Sequence, residues 1–359
     1  MESCSLVLGP LKLLCAAAPE ASVAPPASAA PPAGASAATL GLLALLLLSP
    51  LLYLTLNTVL PVLLGTQDLR KKYGAKWALV TGSSSGIGKE LARRLLAQGL
   101  SVVLVARKEA VFDATAAELQ SSFPGLSVLK VEADLSDGEG KWMPAVEAAV
   151  SGKDVQVCFL NAGYMITGMF EQNSAAAHLA NLHCNLTANV HLAHHLYGRM
   201  LSSQKPGCLV FTSSSAGFIP TPFAAMYATS KAAISAFAAS LACEGRARGV
   251  HVHAVHPSPV NSRFSRGGGN DITLRKVSAM DFFYKFATGP EALPDLFFRA
   301  VGRSAVVADL GGVSLGLRML VQLLGYNLIA LASALTAHLS ADYQNNIAKG
   351  KGQGKAKAS

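Results

Sequence analysis

The sequence predicts an α/β protein built on a doubly wound sheet of seven parallel strands. From Lys76 onward, short runs rich in β-branched residues alternate with stretches of helical periodicity, a pattern typical of βαβ units. A glycine-rich segment follows the first run directly and leads into a helical stretch, which is where such folds turn from strand to helix. At 359 residues the chain is long enough for one large domain of this kind with terminal extensions.

Seven apolar runs are the predicted strands, and the last of them is the weakest. Strands that are buried on both faces of a parallel sheet read as such nearly continuous runs. The predicted strands are Trp77–Thr81, Ser101–Val105, Ser127–Val131, Val155–Leu160, Cys208–Thr212, Val250–Val255 and Ala305–Ala308. They place the α/β domain at residues 66–309.

The N-terminal part has no charged side chain between Glu20 and Asp68. Because its beginning is rich in Ala and Pro, we expect residues 1–37 to be disordered. The mostly apolar run Leu40–Leu64, at ~1.5 Å per residue, reaches past a hydrocarbon core of ~30 Å. It predicts a transmembrane anchor at 38–65. A cleaved signal peptide is the alternative, but it would have a shorter apolar stretch with a basic segment before it.

The net charge of +9 is concentrated in two short segments. Residues 68–76 carry +3 of it and residues 349–357 carry +4. The first cluster follows the predicted anchor directly, which places the α/β domain on the cytosolic side of the membrane. Between the two clusters the chain is nearly neutral and has no basic helix with interleaved aromatic residues, so no nucleic-acid partner is expected.

A second apolar stretch lies at 310–340 and is interrupted by Arg318. If this stretch crossed the membrane, it would put the basic tail, 341–359, on the opposite side from the basic cluster at 68–76. We therefore expect an apolar helix that lies on or dips into the cytosolic leaflet. A second span and a soluble lid are the alternatives.

The glycine-rich segment predicts a turn that binds the phosphates of a dinucleotide, as in a Rossmann fold. Glycines let backbone N–H groups approach a pyrophosphate, and the N-terminus of the following helix adds a favourable partial positive charge. The strand before the segment and the helix after it, which ends at Gly99, strengthen this prediction. The candidate cofactor-binding residues here are Gly82, Ser84, Ser85, Gly86, Ile87 and Gly88.

The end of the second strand favours NADP(H) over NAD. A carboxylate at this place would accept hydrogen bonds from the adenosine ribose, whereas a guanidinium suits a 2′-phosphate. The sequence has Ala106 here, followed by Arg107 and Lys108. We therefore predict that Arg107 and Lys108 bind the phosphate of NADP(H).

Tyr227 and Lys231 predict proton-transfer chemistry, because residues four apart on a helix share a face. An ammonium beside a phenol favours the phenolate and would lower a pKa of ~10 toward neutrality. Ser214 stands at the end of the fifth strand, where its hydroxyl can hydrogen-bond a carbonyl oxygen. We expect these three residues to be catalytic.

The ordered motifs between Lys76 and Phe264 resemble those of the short-chain dehydrogenase/reductase family. The residues that carry the resemblance are Gly82, Gly86, Gly88, Asp134, Leu135, Asn161, Ala162, Gly163, Asn185, Ser214, Tyr227 and Lys231. Seven motifs fall in the order and spacing of the family, which makes the resemblance specific. It implies a Rossmann fold and hydride transfer between a nicotinamide cofactor and a carbonyl or alcohol.

The resemblance also implies a role for each catalytic residue. Tyr227 would be the general acid in reduction, and Ser214 would polarise the substrate carbonyl. Lys231 would hold the nicotinamide ribose and tune Tyr227. Asn185 would hold a water molecule for proton relay.

Further parts of the resemblance concern the cofactor. The residues are Asp134, Leu135, Asn161, Ala162, Gly163, Pro257, Val260 and Ser262. Asp134 would contact the adenine, and residues 161–163 would support the cofactor and the sheet. The last three resemble the family segment beside the nicotinamide, in which Ser258 stands where the family usually has Gly, and Ser262 where it has Thr.

Two sets of histidines are interpreted as structural. Those between residues 191 and 195 have no acidic partner and form no metal-binding motif, so no metal site is expected. His251, His253 and His256 alternate along the sixth strand and are expected to share one face.

The segment Arg263–Pro290 contains three consecutive glycines followed by aromatic residues. In this fold the loop after the sixth strand covers the substrate, so we expect a mobile apolar lid. The alternative is that the aromatic residues dock this segment on the core. Both arrangements imply a lipophilic pocket.

Together these features resemble the lipid-handling branches of the family. We expect an NADPH-dependent enzyme that reduces the keto group of a lipophilic substrate of the 3-oxoacyl-CoA, ketosteroid or 3-ketosphinganine type. A retinol or other prenoid alcohol dehydrogenase and a non-catalytic NADP-binding membrane scaffold are the alternatives. Family members usually pair through the helices that bear Asn185 and Tyr227, which implies a homodimer.

Lys355 and Lys357 stand fifth and third from the carboxyl end of the sequence. They resemble the cytosolic dilysine retrieval signal of endoplasmic reticulum membrane proteins, and a solvated basic tail is the alternative. The expected location is therefore the endoplasmic reticulum membrane, with the catalytic domain facing the cytosol.

Overall fold

The computed structural model of the protein describes residue 41 and residues 48–266 and 282–347. The chain forms two compact units, Met1–Leu48 and Ser49–Ser359. Nearly all of the first unit lies outside the described residues, and the elements below belong to the second.

One sheet of seven parallel strands forms the centre of the second unit, as the sequence predicts. The strands are β1 (Trp77–Thr81), β2 (Ser101–Ala106), β3 (Val128–Glu132), β4 (Val155–Leu160), β5 (Gly207–Thr212), β6 (Val250–Pro257) and β7 (Val307–Leu310). Their order in the sheet is β3-β2-β1-β4-β5-β6-β7. The third and seventh strands begin slightly later than predicted, and the sixth extends to the proline.

Helices cover both faces of this sheet. They are α1 (Leu48–Leu63), α2 (Leu69–Tyr73), α3 (Gly86–Ala97), α4 (Ala110–Ser122), α5 (Met143–Val150), α6 (Ala175–Leu182), α7 (Ala188–Ser203), α8 (Ala225–Gly245), α9 (Leu293–Ala300), α10 (Gly312–Leu324) and α11 (Tyr326–Thr336). A short helix, α12, covers residues 341–347. A π-helical turn, His183–Thr187, joins α6 to α7.

The core has two layers because successive residues of a buried strand point to opposite faces. In β2, Val102 and Leu104 belong to the apolar cluster on one face, and Val103 and Val105 belong to the cluster on the other. Helices α3, α4 and α9 pack in the first layer, and α5, α7 and α8 pack in the second. All four strand side chains are fully buried, so both faces of the sheet are covered.

The first crossover helix forms as its apolar spacing predicts. Leu91 and Leu95, one turn apart on α3, are fully buried against the sheet. The chain then turns at Gly99, whose φ of 83° is the left-handed conformation that commonly ends a helix. This packing fixes the beginning of α3 beside the end of β1.

The strand order reverses at β1, which pairs with β2 on one side and with β4 on the other. In open parallel sheets the loops on either side of such a reversal separate, and ligands bind in the crevice at the carboxyl edge. The loops after β1, β2, β4 and β5 therefore surround one opening.

Helix α1 covers part of the predicted anchor and packs against the α/β domain. The Asn57 side chain pairs with the backbone of Asp309, donating to its carbonyl at 2.9 Å and accepting from its N–H at 3.0 Å. The Tyr53 hydroxyl donates to the Asp309 carboxylate. The face away from these contacts exposes Leu51, Leu52, Leu56, Val59, Val62 and Leu63.

Within residues 48–266 and 282–347, no single helix is long and apolar enough to cross a membrane. The predicted helix at 310–340 is broken into two, because Gly325 takes a φ of 79° and ends α10. The segments Gly312–Leu324 and Tyr326–Leu339 meet at a bend of 101°, and only as a pair do they have the length and composition of a broken span or re-entrant loop. They expose Leu320, Leu323, Leu324, Tyr326, Leu328, Leu331, Leu335 and Leu339.

One expectation about β6 is wrong, because its three histidines do not share a face. His251 Nδ1 lies 3.0 Å from the Tyr73 hydroxyl, and His253 Nε2 accepts from a backbone N–H at 2.6 Å. His256 instead reaches helix α8, where its Nε2 lies 2.9 Å from the Ser235 hydroxyl. Side chains alternate along a strand, so His256 is out of phase with the other two.

Candidate active site

A cavity of about 970 Å³ opens at the carboxyl edge of the sheet. Most residues of the predicted site line it: Gly82, Ser84, Ser85, Gly86, Ile87, Arg107, Asp134, Leu135, Asn161, Ala162, Gly163, Ser214, Tyr227, Lys231, Pro257, Val260 and Ser262. Gly88, Lys108 and Asn185 do not. The fold therefore brings the predicted cofactor and catalytic residues to one opening.

The glycine turn after β1 depends on close backbone packing. Gly82 has a φ of 65°, and a Cβ there would lie 2.8 Å from the Ala162 Cα. A Cβ on Gly88 would lie 2.3 Å from the Gly82 carbonyl oxygen. The absence of a side chain at Gly88 therefore lets the first turn of the helix pack against the backbone of the glycine turn. Helix α3 begins directly after Ser85, whose side chain does not cap it. The first N–H groups of a helix lack intrahelical partners, and these residues fit a pyrophosphate.

Arg107, at the end of β2, lies on the cavity wall beside an acidic residue that the sequence reasoning missed. Its guanidinium pairs with the Glu109 carboxylate, which also lies 3.4 Å from the Arg263 guanidinium. All three side chains line the cavity. Lys108, by contrast, is 82% exposed, and its ammonium lies 3.8 Å from Glu132. The structure thus brings two arginines to the place predicted for a 2′-phosphate, but not Lys108.

Asp134 forms a turn after β3 at the edge of the cavity. Its Oδ1 accepts hydrogen bonds from the Ser136 N–H at 3.0 Å and from the Ser136 hydroxyl at 2.6 Å. The neighbouring Leu135 is buried in the core layer of α5. The carboxylate is therefore held at the opening by its own loop.

Asn161 ties the ends of three strands together. Its N–H donates to the Thr81 hydroxyl at 2.9 Å, and its side-chain oxygen accepts from the Thr212 hydroxyl at 3.0 Å. The loop after β4 is thereby fixed to β1 and to β5. Sequence reasoning missed both threonines, because Thr is common in strands and only its place at a strand end distinguishes these two.

Asn185 is fully buried in the π-helical turn between α6 and α7. Its oxygen accepts from the Tyr164 N–H at 3.0 Å, and its nitrogen donates to the Tyr164 carbonyl at 2.9 Å and to the Ser230 hydroxyl at 3.2 Å. Asn185 thus holds the loop after β4 against α8, directly behind Gly163. Turns of this kind occur frequently at functional sites.

Tyr227 lies in the first turn of α8, close to Ser214, and is 8% exposed. Burial raises the pKa of Tyr227, and the hydrogen bond with the Ser214 hydroxyl only opposes this shift. The Lys231 ammonium lies 5.6 Å from the centre of the phenol ring. The direction of the shift is therefore opposite to the one expected from the Tyr–Lys spacing, because burial removes the water that would stabilise the phenolate.

Lys231 is 4% exposed, and its ammonium donates to the Thr212 carbonyl at 2.7 Å. Burial lowers the pKa of Lys231 from 10.5 to about 8, and Cys184 opposes the shift. The positive charge of the Lys231 ammonium is therefore lost only slightly above neutral pH.

Ser258, which stands where the family usually has Gly, fixes the loop after β6 to the C-terminal helices. Its N–H donates to the Leu310 carbonyl at 2.7 Å. Its hydroxyl accepts a hydrogen bond at 3.1 Å from the Ser314 N–H, which lies in the first turn of α10. Ser258 thus caps the N-terminus of α10, although it belongs to a distant loop. The loop at 257–262 is thereby joined to α10.

The C-terminal helices contribute one wall of the cavity, which the sequence reasoning missed. The residues concerned are Val313, Leu317, Ser333, Thr336, Ala337, Ser340 and Asp342. The signal available in the sequence is the placement of small and hydroxyl residues within an otherwise apolar stretch. Of the predicted lid, residues 267–281 lie outside the described residues, while Phe283 and Tyr284 line the cavity.

The short chain dehydrogenase family matches residues 76–271, which is more than half of the chain. This match assigns the seven-stranded sheet, with the site at its carboxyl edge, to one class of enzymes. The protein belongs to the short chain dehydrogenase family and is an oxidoreductase.

Two curated relatives are very-long-chain 3-oxoacyl-CoA reductases. The chain is 30% identical to that of Phaeosphaeria nodorum over 207 residues, which are 57% of this chain and 58% of the relative. It is 32% identical to that of Pyricularia oryzae over 235 residues, which are 64% of this chain and 67% of the relative. The first match thus spans less than two thirds of the relative's own length.

Solved structures with the same fold include the short-chain dehydrogenase from Sphingobium yanoikuyae in complex with NADPH. That protein is 27% identical, and the match covers 74% of this chain and 95% of that chain with a TM-score of 0.55. The shared part is the sheet with its helices.

The low pKa of Lys231 predicts a distinctive dependence of stability on pH. Between pH 8 and 10.5 the native lysine has released its proton while the unfolded lysine still holds it, so a rise in pH favours the native state. Relative to Lys231→Met, the wild-type free energy of unfolding should rise by about 3 kcal/mol across this window and stay constant below it. Thermal unfolding of both proteins in detergent at a series of pH values measures the difference. A difference independent of pH would show that Lys231 titrates normally.

Proposed function

We propose that this protein is a membrane-associated, NADPH-dependent reductase that converts the keto group of a long-chain 3-oxoacyl-CoA to a hydroxyl group. The observation that carries the proposal is the composition of the cavity. Ser214, Tyr227 and Lys231 line it together with apolar side chains from several elements, which include Met165, Ile219, Phe264, Val313 and Leu317. A polar reaction centre surrounded by apolar side chains suits a polar carbonyl on a long hydrocarbon chain.

The relatives support this substrate class. Two proteins about 30% identical to this chain are named very-long-chain 3-oxoacyl-CoA reductases. The cavity also has Val313 and Leu317 of α10 in its wall, which an acyl chain would contact. The apolar side chains suit any of the lipophilic substrates that the sequence left open, and the names of the relatives favour an acyl-CoA among them.

NADP(H) is the cofactor of this enzyme. A structural neighbour was solved in complex with NADPH. In this chain, Arg107 and Arg263 line the cavity beyond the end of β2, where Ala106 provides no carboxylate for an NAD ribose. The glycine turn would hold the pyrophosphate, and the two arginines would hold the 2′-phosphate, which would displace the Glu109 carboxylate that contacts both of them.

Bound NADPH supplies the hydride, and the side chains of this protein supply the rest. Ser214 donates a hydrogen bond to the substrate carbonyl and so stabilises the negative charge that develops on its oxygen. Tyr227, kept protonated at neutral pH by its burial, gives its phenolic proton to the same oxygen. Lys231 holds the ribose hydroxyls and, as a cation, stabilises the phenolate that remains. Asn185 orients the loop at 161–164 beside them.

The apolar surfaces of α1 and of the α10–α11 pair support membrane association, since together they expose more than a dozen large apolar side chains. We retain an N-terminal anchor within 38–65, but the contacts of Tyr53 and Asn57 with Asp309 place the later part of this segment against the α/β domain. The basic residues at 68–76 favour the cytosolic side. Lys355 and Lys357 favour a location in the endoplasmic reticulum. Helices α7 and α8 remain the proposed pairing surface of a homodimer.

Replacing Tyr227 with Phe removes the proposed acid. We expect kcat for a very-long-chain 3-oxoacyl-CoA to fall by about a thousandfold, within the range of general acid catalysis, while the Kd for NADPH changes less than about threefold. Tyr197→Phe is the matched control, since that phenol is also buried but its hydroxyl has no hydrogen-bond partner among the described residues. NADPH oxidation followed by absorbance measures the rates. A kcat within tenfold of wild type would assign the acid to another group.

Replacing Arg107 with Ala removes a cation from the proposed phosphate site. A charge-assisted contact of about 1.5–3 kcal/mol corresponds to a rise in KM for NADPH of about ten- to a hundredfold. The KM for NADH, which lacks the phosphate, should change little. Arg94→Ala is the control, because that guanidinium pairs with Asp295 on the surface at 2.8 Å. Equal effects on NADPH and NADH would mean that Arg107 does not distinguish them.

The exposed face of α10 and α11 can be tested by charging it. Leu323 and Leu331 are 81% and 56% exposed, and replacing both with Asp should weaken insertion of this face into a bilayer. We expect kcat/KM for a vesicle-dissolved long-chain substrate to fall at least about fivefold relative to a short, water-soluble 3-oxoacyl-CoA. Leu179→Asp, on α6 and 51% exposed, is the control for a charge introduced elsewhere. An unchanged ratio would contradict a membrane role of this face.

A further inference from the structure

A buried histidine and a buried aspartate form a hydrogen-bonded pair beside the active site, and the mechanism above does not use it. His256, near the end of β6, and Asp309, in β7, are 1% and 3% exposed. The His256 Nδ1 lies 2.7 Å from the Asp309 carboxylate. A buried carboxylate is stable only when several donors satisfy it, so its partners indicate what it holds together.

The partners of Asp309 come from two helices that expose apolar surface. From α10, the Arg318 guanidinium donates to the carboxylate at 2.8 Å, and the Ser314 hydroxyl donates at 3.3 Å. From α1, the Tyr53 hydroxyl donates to the same carboxylate, and Asn57 pairs with the Asp309 backbone. Asp309 thus joins α1 and α10 to each other.

On its other side, His256 contacts the elements that carry the catalytic residues. Its Nε2 lies 2.9 Å from the Ser235 hydroxyl, which lies 2.7 Å from the Ser213 hydroxyl. Both hydroxyls lie within hydrogen-bond distance of the Lys231 carbonyl, at 2.8 and 2.7 Å. Ser213 directly precedes Ser214, so the contacts reach two of the catalytic residues through their own backbone.

A second contact reaches the same loop through Phe218. The Arg318 guanidinium lies 3.6 Å from the centre of the Phe218 ring, and the His256 ring packs edge-on against it at 5.1 Å. The residue before it, Gly217, packs so closely on the Lys231 backbone that a Cβ would lie 2.7 Å from the Lys231 carbonyl carbon. The loop that begins at Ser214 is therefore held between Lys231 on one side and the side chains of His256 and Arg318 on the other.

The charges of the pair are consistent with this arrangement. Burial would raise the pKa of Asp309, but hydrogen bonds from His256 and Arg318 outweigh it and lower the pKa. Burial lowers the pKa of His256, so its ring is neutral near pH 7. A neutral ring that donates from Nδ1 to Asp309 offers Nε2 as an acceptor for the single proton of the Ser235 hydroxyl, so the Ser213 hydroxyl is then the donor to the Lys231 carbonyl.

We propose that Asp309 and His256 are positioning residues for the reduction proposed above, and that they couple the docking of helix α1 to the geometry of Ser214 and Lys231. Tyr53 completes the set of donors around Asp309 only when α1 is docked. Docking then orients His256 and Arg318, which hold Phe218 and, through Ser235 and Ser213, the Lys231 carbonyl.

A double-mutant cycle between the two ends of this set of contacts tests the proposal in the full chain. Tyr53→Phe removes one hydroxyl on the α1 side, and Ser235→Ala removes one hydroxyl on the α8 side. We expect each to lower kcat by about fivefold, in the range of measured couplings, with the KM for NADPH changed less than twofold. Because both break the same set of contacts, the double variant should be no slower than the slower single variant. Ser235→Thr, which retains the hydroxyl, should restore kcat.

Tyr73→Phe is the matched control. It removes a buried phenol that also bonds a β6 histidine, but at the beginning of the strand, where His251 Nδ1 lies 3.0 Å from the hydroxyl. A general loss of stability would lower kcat in both phenol variants, whereas positioning lowers it only in Tyr53→Phe. Equal kcat values for the two phenol variants, or additive effects in the cycle, would overturn the proposal.

Hydrogen exchange separates this proposal from the proposed function. Tyr53→Phe, but not Tyr73→Phe, should increase amide exchange of residues 213–218, whether or not the enzyme reduces a 3-oxoacyl-CoA. If wild-type protein does not reduce the substrate but exchange still responds, the proposed function fails and the coupling stands. If wild type is active and exchange is unchanged, the coupling fails.

Discussion

The position of β1 between β2 and β4 determines where every part of the site lies. Because the chain continues from β1 to β2 on one side and returns from β3 to β4 on the other, the loops after β1 and β4 separate instead of closing over the sheet edge. The hydrogen bond from the Asn161 N–H to the Thr81 hydroxyl fixes the distance between the ends of β1 and β4. Residues as distant in sequence as Gly82 and Tyr227 therefore reach one opening, and the remaining features of the protein modify that opening.

The sequence was sufficient for the features that local patterns specify. Most of the seven strands are nearly continuous apolar runs, and the glycine turn, Ser214 and Tyr227 are recognisable by their spacing relative to these runs. The contacts of Asp309 could not be predicted, because Tyr53, His256 and Arg318 come from three distant segments and no local pattern pairs them. The contribution of α10 and α11 to the cavity wall was not predicted for a related reason. An apolar stretch has the same residue pattern whether it faces lipid or a cavity.

Burial sets the direction of the pKa shifts of Tyr227 and Lys231, the two groups proposed for proton transfer. The loss of water favours the neutral form of both side chains. It therefore raises the pKa of the Tyr227 phenol and lowers the pKa of the Lys231 ammonium. Residue spacing predicts that a cation and a phenol are close, but it carries no information on how much water surrounds them. The proton equilibria of this site consequently depend on what fills the cavity, because any occupant that replaces water or brings charge changes both groups together.

The wall formed by α10 and α11 is only one helix thick, about 10 Å with its side chains. Ala337 and Thr336 line the cavity, while Leu335 and Leu339 are exposed on the outside. Neighbouring positions of a single element thus meet two different environments, one enclosed and one open. A substitution at an inner position changes the shape of the cavity, while a substitution at an outer position changes the exposed apolar surface. Because the two sets of positions alternate along the same few turns, one property can change without the other, one side chain at a time.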